Sequence, residues 1–297
     1  MNAGTRLEPL SEPMHSWGGF EGVKIAGDSY GNVSGPTVVL LHGAGQTRHA
    51  WRLTGQRLGE AGYFVVAFDA RGHGDSDWSV DGQYSQEAKI ADLLAVLAAL
   101  GRARPVLVGA SMGGVTCLIA IGEGYVEASA VVLVDIVPRV EPTGAANIRE
   151  FMNLKPDGFK SLEEVADAIA SYQPHRERPR KLDGLAKNVR LGDDGKYHWH
   201  WDPRIRDNPV SPAERVARLE ACVRRLGIPT VLIRGAMSDL VSDDGVQDFL
   251  RLCPQSEYVS VGGAAHMVAG DRNDNFANAI IEFLYRSVPI RVDIAQS

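Results

Sequence analysis

The stretch Pro105-Val106-Leu107-Val108-Gly109-Ala110-Ser111-Met112-Gly113-Gly114 decides the fold of this 297-residue chain. Its apolar opening predicts a buried strand, and Gly109 to Gly113 then fits the pattern G-x-S-x-G. Val115 to Glu123 continue as a mostly apolar segment that predicts a helix. A strand that reverses directly into a helix forces the Ser between them into a strained backbone, and bulky neighbours would collide there. Ala110, Gly113 and Gly114 are small enough to avoid that. Such a turn presents the Ser111 hydroxyl at the C-terminal edge of a sheet, with a helix N-terminus behind it to stabilise negative charge.

Outward from this stretch the chain alternates. Thr37 to Leu41, Tyr63 to Phe68 and Ala130 to Val134 are continuous apolar runs, the mark of strands buried on both faces. Trp51 to Ala61 and Ser85 to Leu100 read as helices, each stopped by a Gly. Upstream, Met1 to His15 reads as a loose lead-in, and Phe20 to Ile25 with Tyr30-Gly31-Asn32 as short strands joined by a tight turn at Gly27-Asp28. The alternation stops between Arg139 and Arg225, a region rich in Pro, Arg, Asp and Gly with helical pieces at Ala145–Met152 and Leu162–Tyr172. It resumes with Pro229 to Arg234 and Glu257 to Val261 as strands, and Gly245 to Leu252 and Phe276 to Tyr285 as helices. Repeated strand–helix units predict an α/β fold: a mostly parallel central sheet with helices on both faces. Residues 1–138 and 226–297 form the expected core, and 139–225 an inserted, mainly helical lid.

A Ser hydroxyl is a weak nucleophile. It needs a base, a group to orient that base, and donors for a developing oxyanion. His266, in Gly262-Gly263-Ala264-Ala265-His266, follows the last expected strand and is the candidate base. Asp239 follows the preceding strand and is the expected acid, with Asp135, also at a strand end, as the alternative. The expected oxyanion donors are the N–H groups of Met112 and of Ala44 in His42-Gly43-Ala44-Gly45. His42 should prop that loop and is also a candidate substrate contact. Trp199 and Trp201 either line an apolar pocket or pack the lid on the core. Asp69-Ala70-Arg71-Gly72-His73-Gly74-Asp75-Ser76 lacks the Lys of a phosphate-binding loop and reads as a structural turn.

The net charge of −6 argues against nucleic acid as a partner, because phosphate binding wants clustered positive charge. No apolar run approaches the roughly 18 residues of a membrane span, and no signal-type segment is expected at the start. Cys117, Cys222 and Cys253 lie far apart without metal spacing, which points to a reducing, cytoplasmic setting. His175, His198 and His200 lack the accompanying carboxylate or Cys spacing of a metal site. No metal and no cofactor are therefore expected. The sequence leaves the oligomeric state open.

Together, His42 to Gly45, Asp69 to Ser76, Gly109 to Gly114, Ser238-Asp239 and Gly263 to His266 resemble the α/β-hydrolase superfamily, over about Phe20 to Tyr285. The likeness is greatest to its lid-bearing branch of epoxide hydrolases, haloalkane dehalogenases, cofactor-free haloperoxidases, lactonases and carboxylesterases. The first two use an Asp at the elbow, so Ser111 turns the expectation away from ring opening and dehalogenation. In some lid-bearing relatives the acid follows the strand next to the elbow strand, which keeps Asp135 open. The resemblance implies a serine hydrolase cleaving a carboxylic ester or lactone of a small apolar substrate through an acyl-enzyme. A perhydrolase using the same three residues is one alternative. A non-catalytic small-molecule-binding protein on this fold is the other.

Overall fold

The computed structural model describes residues 4–8, 10–172, 178, 182–206, 210–266 and 273–290. Its centre is an eight-stranded sheet in the order β1-β2-β4-β3-β5-β6-β9-β10. The strands are β1 (His15–Gly18), β2 (Lys24–Tyr30), β3 (Thr37–Leu41), β4 (Phe64–Phe68), β5 (Val106–Ala110), β6 (Ala130–Val134), β9 (Thr230–Gly235) and β10 (Glu257–Val261). From β4 across to β10 every pairing is parallel, and β2 joins β1 and β4 antiparallel.

Because the strands are buried on both faces, successive residues feed opposite layers. Val39, Leu41, Leu107 and Leu133 face α2 (Gln86–Leu100), α3 (Met112–Gly122) and α7 (Asp243–Leu252), where Leu93, Leu118 and Phe249 complete the layer. Val38, Leu40, Val108 and Val132 face α1 (Arg52–Glu60) and a C-terminal helix, α8 (Asn273–Ser287), which supply Leu58, Phe276 and Phe283. The continuous apolar runs are thus satisfied on both sides.

The N-terminal edge departs from the sequence reading. A strand starts at His15, the last residue of the expected lead-in, and runs to Gly18, and Phe20–Gly22, expected to open a strand, is a single 3-10 turn. β2 runs unbroken through Gly27-Asp28. Gly27 is bare because Trp17 lies over it: a Cβ there would come within 2.4 Å of the indole. The Asp28 carboxylate pairs with Arg48 Nε at 2.9 Å. A packing glycine and a buried ion-pair carboxylate look, in sequence, like a turn.

Between β6 and β9 lie α4 (Pro142–Met152), α5 (Leu162–Tyr172), the hairpin strands β7 (Val189–Leu191) and β8 (Tyr197–Trp199), and α6 (Pro212–Arg224). The segment is therefore helical with a small antiparallel hairpin. Met152, Phe159, Val165, Leu185, Trp199 and Trp201 form its own apolar cluster. α6 departs from this grouping. Its Leu219, Cys222 and Val223 are buried in the layer of α3, so that helix packs on the core.

Candidate active site

Ser111 stands between β5 and α3 with φ 47° and ψ −110°, a backbone strained for any residue bearing a Cβ. Two close approaches hold it there. A Cβ on Gly113 would lie 2.3 Å from the Leu41 carbonyl oxygen, and one on Gly109 would lie 2.5 Å from that of Gly113. The Ser111 N–H donates to Val134 O at 3.0 Å, and the Gly113 N–H to His42 O at 3.1 Å. The elbow is thereby tied to the ends of both neighbouring strands.

Asp135 directly follows β6, also at positive φ (49°), and its side chain is 1 % exposed. Its Oδ2 lies 2.6 Å from His266 Nδ1 and accepts from the Ser238 hydroxyl at 2.6 Å. Its Oδ1 accepts from the Gly235 N–H at 3.3 Å. A buried carboxylate needs such partners, and these leave one lone-pair direction aimed at the imidazole. Asp239, the acid expected from sequence, does not occupy this place. Its exposed carboxylate accepts from Asn147 Nδ2 at 2.9 Å, on α4 of the inserted segment. The reason lies in the loop after β9. The Ser238 hydroxyl, fixed on Asp135, also accepts from the N–H groups of Leu240 and Val241, so the chain curls around Ser238 and turns Asp239 outward.

The loop after β3 lies against the elbow: a Cβ on Gly43 would sit 3.4 Å from Ser111 Cβ. The Gly43 N–H is already taken, donating to Gln46 Oε1 at 2.9 Å. Among the described residues nothing accepts from the Ala44 N–H. The first N–H groups of α3, Met112 included, have no partner within the helix by construction. Both expected donors therefore flank Ser111 uncommitted to helix or loop bonding.

His42 is buried beneath this loop. Its Nε2 accepts from the Ala70 N–H at 2.9 Å, and its Nδ1–H donates to Gly43 O at 2.8 Å. With both nitrogens engaged it props the loop. Burial pushes its pKa below the ordinary value, against the pull of Asp69. Trp199 and Trp201 stack at 4.8 Å between ring centroids. They pack the inserted segment, and they border a cavity of about 290 Å³ whose other walls include Asn153, Lys155, Asp193, Asp194 and His198. A Cβ on Gly45 would touch the Trp201 ring at 3.4 Å, so this indole roofs the loop.

The turn after β4 is structural. Asp69 accepts from the Arg48 N–H and from its guanidinium, both at 2.6 Å, and from the Asp75 N–H at 2.9 Å. Of the histidines considered for a metal, His198 rests on Asp194, His200 joins the core, and His175 lies outside the described residues. Sequence reasoning missed Ser238, Gln46, His73 and His200. Ser238, His73 and His200 act through bonds to residues distant in sequence, which nothing local marks, and Gln46 acts on Gly43 three residues away.

Residues 36–272 match the family model described as the alpha/beta hydrolase fold. The chain belongs to that family. An α/β hydrolase from Novosphingobium aromaticivorans superposes with a TM-score of 0.78 at 24% identity, covering 92% of this chain and 97% of the other. Esterase Rv0045c of Mycobacterium tuberculosis is 29% identical over 245 residues, 80% of this chain and 79% of the relative. The mouse sn-1-specific diacylglycerol lipase ABHD11 is 27% identical over 264 residues, 86% of this chain and 82% of the relative. In the α/β hydrolase described here, no helix among the described residues is long and apolar enough to cross a membrane.

Proposed function

We propose that this α/β hydrolase cleaves a carboxylic ester or lactone of a small apolar substrate through an acyl-enzyme. The observation that carries the reading is the 2.6 Å contact of His266 with buried Asp135, in a fold that strains Ser111 at the neighbouring strand end. Ser111 Oγ attacks the carbonyl carbon, and His266 takes its proton and passes it to the leaving alcohol. Asp135 fixes the ring with Nδ1–H toward itself, leaving Nε2 as the base. The N–H groups of Ala44 and Met112 hold the oxyanion. Water, deprotonated by His266, then releases the acid and restores Ser111. The Asp135 assignment replaces Asp239, whose carboxylate is engaged with Asn147.

Ester substrates are favoured because the relatives above are named as an esterase and a lipase. The apolar cluster around Trp199 and Trp201 favours an apolar acyl or alcohol group under the inserted segment, which serves as a lid. Cys117, Cys222 and Cys253 are buried and unpaired, in keeping with a cytoplasmic setting.

The test is reaction of the intact protein with a fluorophosphonate, with the adduct located by mass spectrometry. A Ser111 adduct that disappears in His266→Ala and Asp135→Ala supports the reading. A folded wild type that stays unlabelled refutes it.

A further inference from the structure

Three buried histidines from three distant parts of the chain stand in a row. The His42 and His73 rings are 5.0 Å apart, and the His73 and His200 rings 5.9 Å. His42 follows β3, His73 lies in the turn after β4, and His200 follows β8 in the inserted segment. Backbone bonds fix the tautomer of each. His73 Nε2 accepts from the Gly45 N–H at 3.3 Å, and its Nδ1–H donates to Arg71 O at 3.2 Å. His200 Nδ1 accepts from the Gly74 N–H at 2.8 Å, and its Nε2–H donates to Gly45 O at 3.3 Å.

Gly45, the residue after the expected oxyanion donor Ala44, thus has its N–H on one ring and its carbonyl on the next. Gly43 is held through its carbonyl by His42 and through its N–H by Gln46. Ala44 is bracketed on both sides, and its own N–H is left over. An oxyanion donor is effective only when it is held in place before charge develops, so this bracket is worth catalytic rate.

We propose that His200 is a positioning residue for the oxyanion loop, through which the inserted segment sets the direction of the Ala44 N–H. The inference rests on the serine-hydrolase reading for its catalytic consequence, though not for the geometry. Two further bonds make the inserted segment rigid at this point. Arg190 donates to Asp75 Oδ1 at 2.9 Å, and the Asp202 N–H donates to Gly72 O at 2.9 Å. A substrate analogue need not touch His200 for His200 to matter.

The experiment compares wild type, His200→Ala and His200→Gln in hydrolysis of p-nitrophenyl butyrate at pH 8, with far-UV circular dichroism and thermal melting to confirm folding. His200→Ala should lower kcat about 10- to 100-fold with KM within about threefold, because the lost contact acts on the transition state. His200→Gln should recover most of kcat, since an amide offers one acceptor and one donor without a ring. A folded His200→Ala with wild-type kcat, or a His200→Gln as impaired as His200→Ala, overturns the proposal. A long-range ¹H–¹⁵N spectrum of histidine-labelled wild type tests the geometry without turnover. Neutral Nδ1–H forms for His42 and His73 with a neutral Nε2–H form for His200 are expected, and any other set overturns it. If the tautomers are as expected but Ser111 takes no fluorophosphonate, the hydrolase reading fails while the loop bracket stands.

Discussion

The histidine row also makes acid a specific denaturant of this fold. Each ring accepts one backbone N–H, so protonation would set N–H against N–H inside the protein. Burial holds His73 and His200 well below the ordinary value near 6.5, helped by the neighbouring rings for His73 and by Arg190 for His200. His42 and His49 are lowered as well, chiefly by burial. The charged groups around the row are Arg48, Asp69, Lys89 and Arg190. When the folded pKa is the lower one, the unfolded chain binds more protons below 6.5. Stability is then full above that pH and lost as pH falls. A ring that stays neutral when folded and titrates at 6.5 when unfolded costs RT ln(1 + 10), about 1.4 kcal/mol, at pH 5.5. Asp75 does not confuse that window. Burial would raise its carboxyl, but Arg48 and Arg190 outweigh this and hold it below the usual range.

The assay is urea unfolding at pH 7.5 and pH 5.5 for wild type, His200→Gln and the double variant His73→Gln/His200→Gln. The acid-induced loss of stability should shrink by about 1.4 kcal/mol in the single variant and about 2.8 kcal/mol in the double variant. Equal losses in all three proteins would refute the claim that these rings are folded only when neutral.

Other outcomes follow from single contacts. Asp135→Asn should lower kcat by about 10³- to 10⁴-fold by fixing the wrong His266 tautomer, whereas Asp239→Asn should stay within about threefold; steady-state kinetics on one ester decide between the two acids. Ser238→Ala removes one donor to Asp135 and should cost about tenfold in kcat with KM unchanged, read in the same assay. Gly113→Ala would drive a Cβ to 2.3 Å from Leu41 O, so chemical denaturation should register a loss of about 3 kcal/mol. Arg48→Ala leaves Asp69 and Asp28 buried without their cation and should cost about 3 to 5 kcal/mol in the same measurement.

How much of this was legible beforehand follows physical lines. A strand such as Val38–Leu41 announces itself because both of its faces must be apolar, and the same residues fill the two layers of the core. The Ser111 turn was legible because its glycines answer a steric demand confined to a few residues. Which carboxylate meets His266 was not, because Asp135 and Asp239 both follow a buried strand. The choice is made by the path of the 235–241 loop around the Ser238 hydroxyl, and no local pattern encodes that path. Gly27-Asp28 misled for the opposite reason: two residues common in turns are used here for an indole contact and an ion pair. His73 and His200 are invisible as a pair, since 126 positions separate the donor Gly74 from the ring that receives it.

The inserted segment is rooted close to Asp135. Just past β6, Glu141 donates its N–H to Leu240 O at 2.9 Å, and Gly144 packs so tightly on the Asp239 carbonyl that a Cβ would lie 2.3 Å from it. Farther along, the segment gives Arg190 to Asp75 and His200 to Gly45. It is consequently a poor candidate for transplantation. A grafted segment lacking those two side chains would leave both contacts unmade. It would strip a cation from Asp75 and a donor from the loop beside Ser111. The hairpin that leads into His200 is therefore the part of the inserted segment to leave as it is.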